Sequence, residues 1–175
     1  MKKVIKVFLY LLFFCLFLIA FLPKENFYFL FEHSLKKKEI VISQELTNDK
    51  MAYLKITNGN IIYQNRPYAK FQSANILSLL VFSSVSVDDI SFLDNKNEKY
   101  EKLIEKLSIK HTLINPLHMI IKANGAMGEL KGNISLLEKK ITLELEASRL
   151  LRSDFNHLLK NWKLIKGKYY YEYQF

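Results

Sequence analysis

Apolar residues first form one uninterrupted run and later alternate with polar ones. The run extends from Val7 to Leu22 and contains no charged residue. Val4 and Ile5 lengthen it, because the side chain of the intervening Lys6 can extend toward lipid headgroups. Since about 20 apolar residues cross a hydrocarbon core, the pattern predicts a transmembrane helix. The residues predicted to form this membrane anchor are Val7, Phe8, Leu9, Leu12, Phe13, Phe14, Leu16, Phe17, Leu18, Ile19, Phe21 and Leu22.

The two ends of the run favour an anchor that is retained, with its N-terminus inside. A cleaved signal peptide needs small residues at its cleavage site, whereas Leu18-Ile19-Ala20 begins with a bulky one. Lysines flank both ends, but Lys24 on the far side is offset by Glu25. The three lysines among the first six residues therefore set the orientation. In a bacterium this predicts a single-pass inner-membrane protein with a cytoplasmic N-terminus and a periplasmic C-terminal domain.

A short segment directly after the anchor has helical spacing. Phe27, Leu30, Phe31 and Leu35 recur at steps of three and four residues. We predict an amphipathic, membrane-proximal helix over residues 24–38. Its apolar face has two possible destinations, the bilayer surface or the chain's own domain. The remaining parts are then 1–23, the cytoplasmic tail and anchor, and 39–175, a β-rich domain.

From residue 39 onward the apolar period changes to two, which is typical of strands with one buried face. The clearest case is residues 141–147, where apolar and polar residues alternate strictly. A long apolar stretch at residues 76–92 favours a meander of antiparallel strands over any helix. The last residues, KYYYEYQF, predict a closing strand whose aromatic face belongs to the core.

Turn and helix signals divide this β-rich part. Asn58-Gly59 and Asp88-Asp89 are interpreted as turns between strands. The closely spaced glycines of NGAMGELKG predict a tight hairpin with a bulge. Ser153 or Asp154 is predicted to cap a short helix that ends near Trp162. One face of this helix would carry Phe155, Leu158, Leu159 and Trp162.

The predicted fold class is therefore mainly β with minor α. An N-terminal transmembrane helix precedes an antiparallel β-sheet domain that is meander- or jellyroll-like, with one or two short helices. The 50% hydrophobic content, with only five glycines and three prolines, is that of a packed protein.

Candidate chemistry is sparse. The formal net charge is +9 and comes mostly from lysine, in a sequence also rich in Asn, Ile, Phe and Tyr. An AT-rich genome encodes such a mixture by default, so nucleic acid is not expected as a partner. The single Cys15 lies inside the apolar run, which excludes an intrachain disulfide. The four histidines, His33, His111, His118 and His157, lack the i, i+4 spacing of a helical metal site. We therefore expect no enzyme activity, no catalytic residues, no metal and no cofactor.

Several segments resemble the type II secretion system protein N family. They are Leu22-Pro23 at the end of the anchor, FYFLFEHSL behind it, residues 54–63, residues 76–90, residues 128–134 and the closing residues 170–173. The resemblance implies a short anchored protein with a β-rich periplasmic domain and no catalytic residues. It further implies a scaffold or assembly component of an envelope-spanning machine, either a secretion apparatus or a flagellar motor accessory complex.

Two functional hypotheses follow from the sequence. The first is a non-enzymatic scaffold whose partners are other inner-membrane or periplasmic subunits, bound at sheet edges or at a basic face. The second is a lipid-binding or lipid-transfer module of the lipopolysaccharide-transport or AsmA-like type. In that case the apolar stretch 76–92 would line a groove for acyl chains, although it equally suits an ordinary core. The lipid bilayer is a partner in both hypotheses.

Overall fold

The computed structural model describes residues 2–21, 24–50, 53–79, 82–94 and 99–175. In these residues the helices are α1 (Lys2–Phe21), α2 (Lys24–Lys36) and α3 (Arg149–Ser153), with a 3₁₀ helix at Asn156–Leu159. The strands are β1 (Ile40–Ser43), β2 (Leu46–Asp49), β3 (Tyr53–Tyr63), β4 (Arg66–Ser78), β5 (Phe82–Asp94), β6 (Lys99–Thr112), β7 (Asn115–Gly125), β8 (Gly128–Ser135), β9 (Lys140–Ala147), β10 (Lys163–Ile165) and β11 (Lys168–Gln174).

The described strands form one 11-stranded antiparallel sheet. β1 and β2 both pair with β3, and from β3 to β9 each strand pairs with the next one along the chain. On the far side β11 lies between β9 and β10. The predicted mainly β class with an antiparallel sheet is confirmed, and the strand order is that of a meander. We call the end with the Gln64-Asn65 turn the upper end, and the end with the Leu113-Ile114 turn the lower end.

Helix α1 covers most of the predicted anchor. Its described large apolar side chains are exposed, including Val4, Tyr10 and Phe13, each at 70% or more. None of them belongs to the buried core of the described chain. Leu22 lies outside the described residues, and so do the side chains of Leu16, Leu18, Ile19 and Phe21. Among the residues that the structure describes, no helix has the length and apolarity needed to cross a membrane.

Helix α2 packs on the sheet beside β1, β2 and β3. Tyr28 is 4% exposed, and its hydroxyl donates a hydrogen bond to Glu45 Oε1 at 3.3 Å. Glu32 is also buried and pairs with Lys36 at 2.7 Å. Of the predicted apolar face, Leu35 is partly buried, whereas the side chains of Phe27, Leu30 and Phe31 lie outside the described residues. Tyr28 therefore fixes α2 to the chain's own domain, the second of the two predicted destinations.

The environment of Tyr28 predicts a pH dependence of stability. Burial raises the pKa of its phenol above the ordinary value of 10.0, and the charges of Glu45 and Glu32 add to this effect. The unfolded chain therefore loses this proton at a lower pH than the folded chain. Consequently the free energy of unfolding should fall as the pH rises above about 10. Chemical denaturation at a series of pH values should show a smaller alkaline loss for Tyr28→Phe, and an unchanged pH slope would contradict the prediction.

The turn predicted at Asn58-Gly59 is wrong, because both residues lie in the middle of β3. Asn58 has a φ of 59°, and this left-handed residue inverts the alternation of the strand. Leu54 and Ile56 are the buried positions before it, and Gly59 is buried after it. The ring of Phe71 from β4 fills the space that a side chain at residue 59 would need. A turn signal in the sequence thus marks a change of alternation within a long strand.

The turn predicted at Asp88-Asp89 is also wrong, for a similar reason. Both residues lie inside β5, and Asp89 has a φ of 57°. Asp88 accepts a hydrogen bond from Ser73 Oγ at 3.0 Å, and Asp89 forms an ion pair with Lys102. Neighbouring strands therefore hold the two carboxylates on the polar side of the sheet.

The helix predicted to start at Ser153 or Asp154 begins earlier. Ser148 is its N-cap and accepts a hydrogen bond from Leu151 N at 3.2 Å. Asp154 instead occupies the C-cap of α3, and a separate 3₁₀ helix follows. Ser148 is the N-cap, rather than Ser153 or Asp154, because it directly follows β9 and the helix therefore begins immediately after the strand. The buried residues that α3 and the segment after it contribute are Leu151, Phe155 and Leu159.

Candidate functional site

The sheet has one apolar face along its whole width. One row of register-paired residues crosses eight strands on this face: Ile56, Ala74, Val87, Leu107, Ala123, Leu130, Leu145 and Tyr169. The adjacent row is Leu54, Ile76, Val85, Ile109, Ile121, Gly132, Leu143 and Tyr171. Neither row contains a charged residue. Since α2, α3 and the 3₁₀ helix are short, several of these side chains are only partly buried.

The other face is polar and carries ion pairs. The Nζ atom of Lys168 lies 2.6 Å from Glu144 Oε1 and 2.7 Å from Glu146 Oε1. These hydrogen bonds from the ammonium group lower the pKa of both carboxyl groups. Lys140 pairs with Glu172 on the same side of the sheet. The contrast between the faces is that of an antiparallel sheet with one face toward water.

An apolar groove lies at the upper end of the apolar face. It is a concavity of about 430 Å³ formed by β1, β3, β4, β5 and β6. Its lining residues are Ile40, Ile61, Tyr63, Tyr68, Ala69, Ile90, Phe92, Ile104 and Leu107. The lining has no charged residue, and its volume is in the range of small-molecule sites. We call this set of nine residues the groove.

Three aromatic rings form one wall of the groove. The rings of Tyr63 and Tyr68 meet edge to face with their centroids 6.2 Å apart. The rings of Tyr68 and Phe92 do the same at a centroid distance of 5.8 Å. Edge-to-face contacts of this kind fix ring orientation. Partial burial raises the pKa of the Tyr68 phenol, and neighbouring Tyr63 adds to it. A phenol is neutral at neutral pH, so this wall of the groove carries no charge.

A second concavity with a more polar lining adjoins the groove. It has a volume of about 590 Å³ and shares Tyr63 and Tyr68 with the groove. Its other lining residues are Gln64, Arg66, Pro67 and Leu93. The two concavities together combine an apolar lining with phenol hydroxyls and one cationic side chain, Arg66, which suits an amphiphilic ligand.

The predicted site residues that the structure describes lie outside the groove. The anchor residues up to Phe21 belong to α1 and the membrane-proximal residues to α2, and none of those whose side chains are described lines the groove. The apolar stretch 76–92 contributes Ile90 and Phe92 to it. Most of the lining, including Ile40, Tyr68 and Ile104, was not singled out from the sequence. Only the strand register could have revealed that these distant residues share one concavity.

Metal chemistry finds no support in the described residues. They contain no group of three or more His, Cys, Asp or Glu side chains that could hold a metal ion. His111 Nε2 lies 2.9 Å from the carbonyl oxygen of Pro116, and His118 Nδ1 lies 3.2 Å from Asn133 Nδ2. Both histidines are therefore engaged in contacts within hairpins.

The fold and the groove define an antiparallel sheet with one apolar face and a concavity at its upper end. Comparison with known proteins adds no narrower identity: no family model matches the chain, and no curated protein or solved structure matches it significantly. The resemblance to the type II secretion system protein N family stays a prediction.

Proposed function

We propose that the chain is a non-enzymatic, membrane-anchored module that binds lipid acyl chains in its groove. The observation that carries the proposal is the uncharged concavity of about 430 Å³ at the upper end of the sheet. Each methylene group that leaves water for such a site contributes about 0.8 kcal/mol. The groove is therefore suited to an alkyl chain, and the adjoining, more polar concavity to the headgroup.

The apolar face also supports a route for lipids toward the groove. The first of the two uncharged rows that cross eight strands adjoins the groove, because Leu107 belongs to both. The second row lies next to the first, nearer the lower end of the sheet. Partly exposed side chains such as Val85, Ile109 and Leu143 lie along this surface. An acyl chain moving along it would remain in contact with apolar atoms. This arrangement favours a lipid-binding or lipid-transfer module of the lipopolysaccharide-transport or AsmA-like type.

Helix α1 supports membrane anchoring. Its exposed apolar side chains, from Val4 to Phe17, form a surface that is unfavourable in water. The uncharged run Val7–Leu22 continues it in the sequence. We propose that the run Val7–Leu22, most of which lies in α1, is a retained transmembrane anchor in a bacterial inner membrane, with a cytoplasmic N-terminus and the sheet in the periplasm. In this orientation, protease added to intact spheroplasts should digest the sheet. A sheet that is protected in intact spheroplasts and digested only after they are lysed would contradict the orientation.

Photo-crosslinking of the full chain in membranes tests the groove. p-Benzoylphenylalanine in place of Tyr68 should form lipid adducts on irradiation, detected by mass spectrometry. The same substitution at Ile165 is the matched control, because Ile165 also lies at the upper end of the sheet, is 50% exposed against 41% for Tyr68, and does not line the groove. Equal adduct yields at both positions would refute selective binding in the groove.

A second substitution tests the chemistry of the lining. Phe92→Asp places a charge against the probe at residue 68, and burying a charge without a partner is unfavourable. We expect the lipid adduct yield to fall by about tenfold, which corresponds to about 1.4 kcal/mol. Circular dichroism should show that the sheet is intact. An undiminished yield in a folded variant would show that the acyl chain lies elsewhere.

One observation favours a second candidate function, a scaffold in an envelope-spanning secretion-like or flagellar assembly. β10 pairs only with Lys168–Tyr170, so no described strand pairs with the outer edge of β11 from Tyr171 to Gln174. Such an edge can accept a strand from another subunit. Crosslinking in cells from an engineered Glu172→Cys should then capture a membrane-anchored or periplasmic subunit. If no protein is captured and deletion leaves secretion and motility unchanged, the scaffold function is excluded.

A further inference from the structure

The lower end of the sheet presents large apolar side chains to solvent. The β6–β7 turn carries Leu113 at 56% and Ile114 at 97% exposure. The β8–β9 turn carries Leu137 at 73%, and the C-terminal Phe175 is 53% exposed. We call these four residues the lower rim. Ile and Leu usually lie inside folded proteins, so such exposure at neighbouring turns calls for a covering surface.

Hydrogen bonds hold these turns next to each other. Leu136 N donates to the carbonyl oxygen of Leu117 at 2.8 Å, which joins the β8–β9 turn to the start of β7. Phe175 N donates to the carbonyl oxygen of Lys139 at 2.9 Å. The lower rim is therefore one continuous edge formed by three consecutive parts of the sheet. Its side chains can enter an apolar medium together without rearrangement of the backbone.

The path of α2 indicates what lies below this edge. The C-terminal end of α2 is at the upper end of the sheet, since Glu39 accepts a hydrogen bond from Gln64 N at 3.0 Å. Tyr28, two turns earlier in the helix, contacts Glu45 at mid-height, between β1 and β2. α2 therefore descends toward its N-terminus, and the chain enters it from the lower side. The anchor proposed for α1 thus joins the domain from the side of the lower rim.

Charged groups around the lower rim are suited to a lipid headgroup layer. Lys110 precedes the β6–β7 turn and Lys139 follows Leu137, whereas the neighbouring Lys140 is paired with Glu172. Long lysine side chains can keep their charge in the headgroup region while their stems contact apolar groups. Glu138 is the acidic residue in the β8–β9 turn. Apolar side chains at the turns, with lysines next to them, match the interfacial zone of a bilayer, in which acyl chains lie below charged headgroups.

We propose that the lower rim inserts into the surface of the bilayer and holds the sheet upright on it. The inference rests on the proposed membrane anchoring for the identity of that bilayer. Insertion would place the lower end of the apolar face at the level of the acyl chains. Lipids could then enter that face from the membrane side and reach the groove along it.

Site-directed fluorescence in reconstituted vesicles tests this contact. With Cys15→Ala as background, an environment-sensitive probe is attached at Ile114→Cys or Leu137→Cys in the full chain. We expect a blue-shifted emission at both positions and a loss of intensity when the vesicles contain lipids with brominated acyl chains. Asn65→Cys, in the turn at the upper end, is the matched control and should show neither effect.

A probe at Phe13→Cys separates the rim from the anchor. Quenching at Phe13 without quenching at Ile114 or Leu137 would overturn the lower rim and leave the anchor intact. Quenching at the rim without quenching at Phe13 would support the rim and refute the anchor. Vesicles of phosphatidylcholine alone and with phosphatidylglycerol show whether the lysines contribute, since anionic lipid should then increase the quenching.

A double substitution tests the insertion by a second route. Ile114→Asp with Leu137→Asp changes only exposed side chains, so folding should be retained. A probe at Leu113→Cys should then lose its blue shift and its quenching. If the probe keeps both in the folded double variant, the lower rim does not depend on its apolar tips and the inference is wrong.

Discussion

Phe155→Ala should lower the free energy of unfolding by about 3 to 5 kcal/mol, the usual cost of truncating a fully buried Phe. The side chain is 0% exposed and belongs to the one core cluster of the described chain. It lies in the short segment after α3 that covers part of the sheet. Truncation leaves a cavity between this cover and the strands. Because the segment has few other buried residues, we also expect it to detach locally.

Chemical denaturation of the full chain in detergent measures this effect. Trp162, the single tryptophan, provides the fluorescence signal. Its ring centroid lies 5.5 Å from that of Tyr171 in β11, so the signal reports on the contact between this segment and the sheet. Phe175→Ala is the control of equal size change, because Phe175 is 53% exposed. It should cost less than about 1 kcal/mol. Equal losses in the two variants would mean that Phe155 does not fix the cover to the sheet.

Gly128→Ala should destabilise the chain by about 3 kcal/mol or more, through steric conflict with backbone atoms. Gly128 starts β8 with a φ of 110°. A Cβ atom there would lie well inside contact distance of the carbonyl oxygen of Glu146. Since that oxygen belongs to the β9 backbone, no side-chain rotation relieves the clash. The β8–β9 pairing must therefore shift, which disturbs the centre of the sheet.

Gly167→Ala is the matched control for this effect. Gly167 also has a positive φ, 83°, but a Cβ atom there would meet nothing within 4 Å. The expected cost is then only the strain of a left-handed residue, about 1 to 2 kcal/mol. Thermal or urea unfolding of both variants separates the two causes. Equal destabilisation would show that backbone conformation alone, and not the clash, makes Gly128 necessary.

The sequence was least informative where two signals conflict. Asn58-Gly59 and Asp88-Asp89 have the composition of turns, yet both pairs lie inside long strands. Their left-handed residues invert the alternation, so a strict period of two fails across β3 and β5. A local signal describes the backbone angle of a residue. Only pairing with neighbouring strands decides whether the chain reverses there.

The closing strand shows the same limit for burial. Tyr169, Tyr171 and Tyr173 lie on one face of β11, paired with Leu145, Leu143 and Ile141. The prediction that this face belongs to the core is correct near Tyr169, which packs against the core cluster. It is wrong at Tyr173, which lies near the lower end of the sheet and is 46% exposed. Alternation identifies a face, and packing decides what covers it.

The sequence by itself determined the β-rich class, the antiparallel pairing of neighbouring segments and the position of the long apolar run. These properties depend on local periodicity, which one strand or helix expresses alone. The groove and the lower rim were decided only by the tertiary structure. Ile40, Tyr68 and Ile104 come from strands far apart in the chain, and Ile114 and Leu137 from separate turns. The register of the sheet brings each set together, and that register depends on strand pairing and turn geometry as well as on the pattern of any single strand.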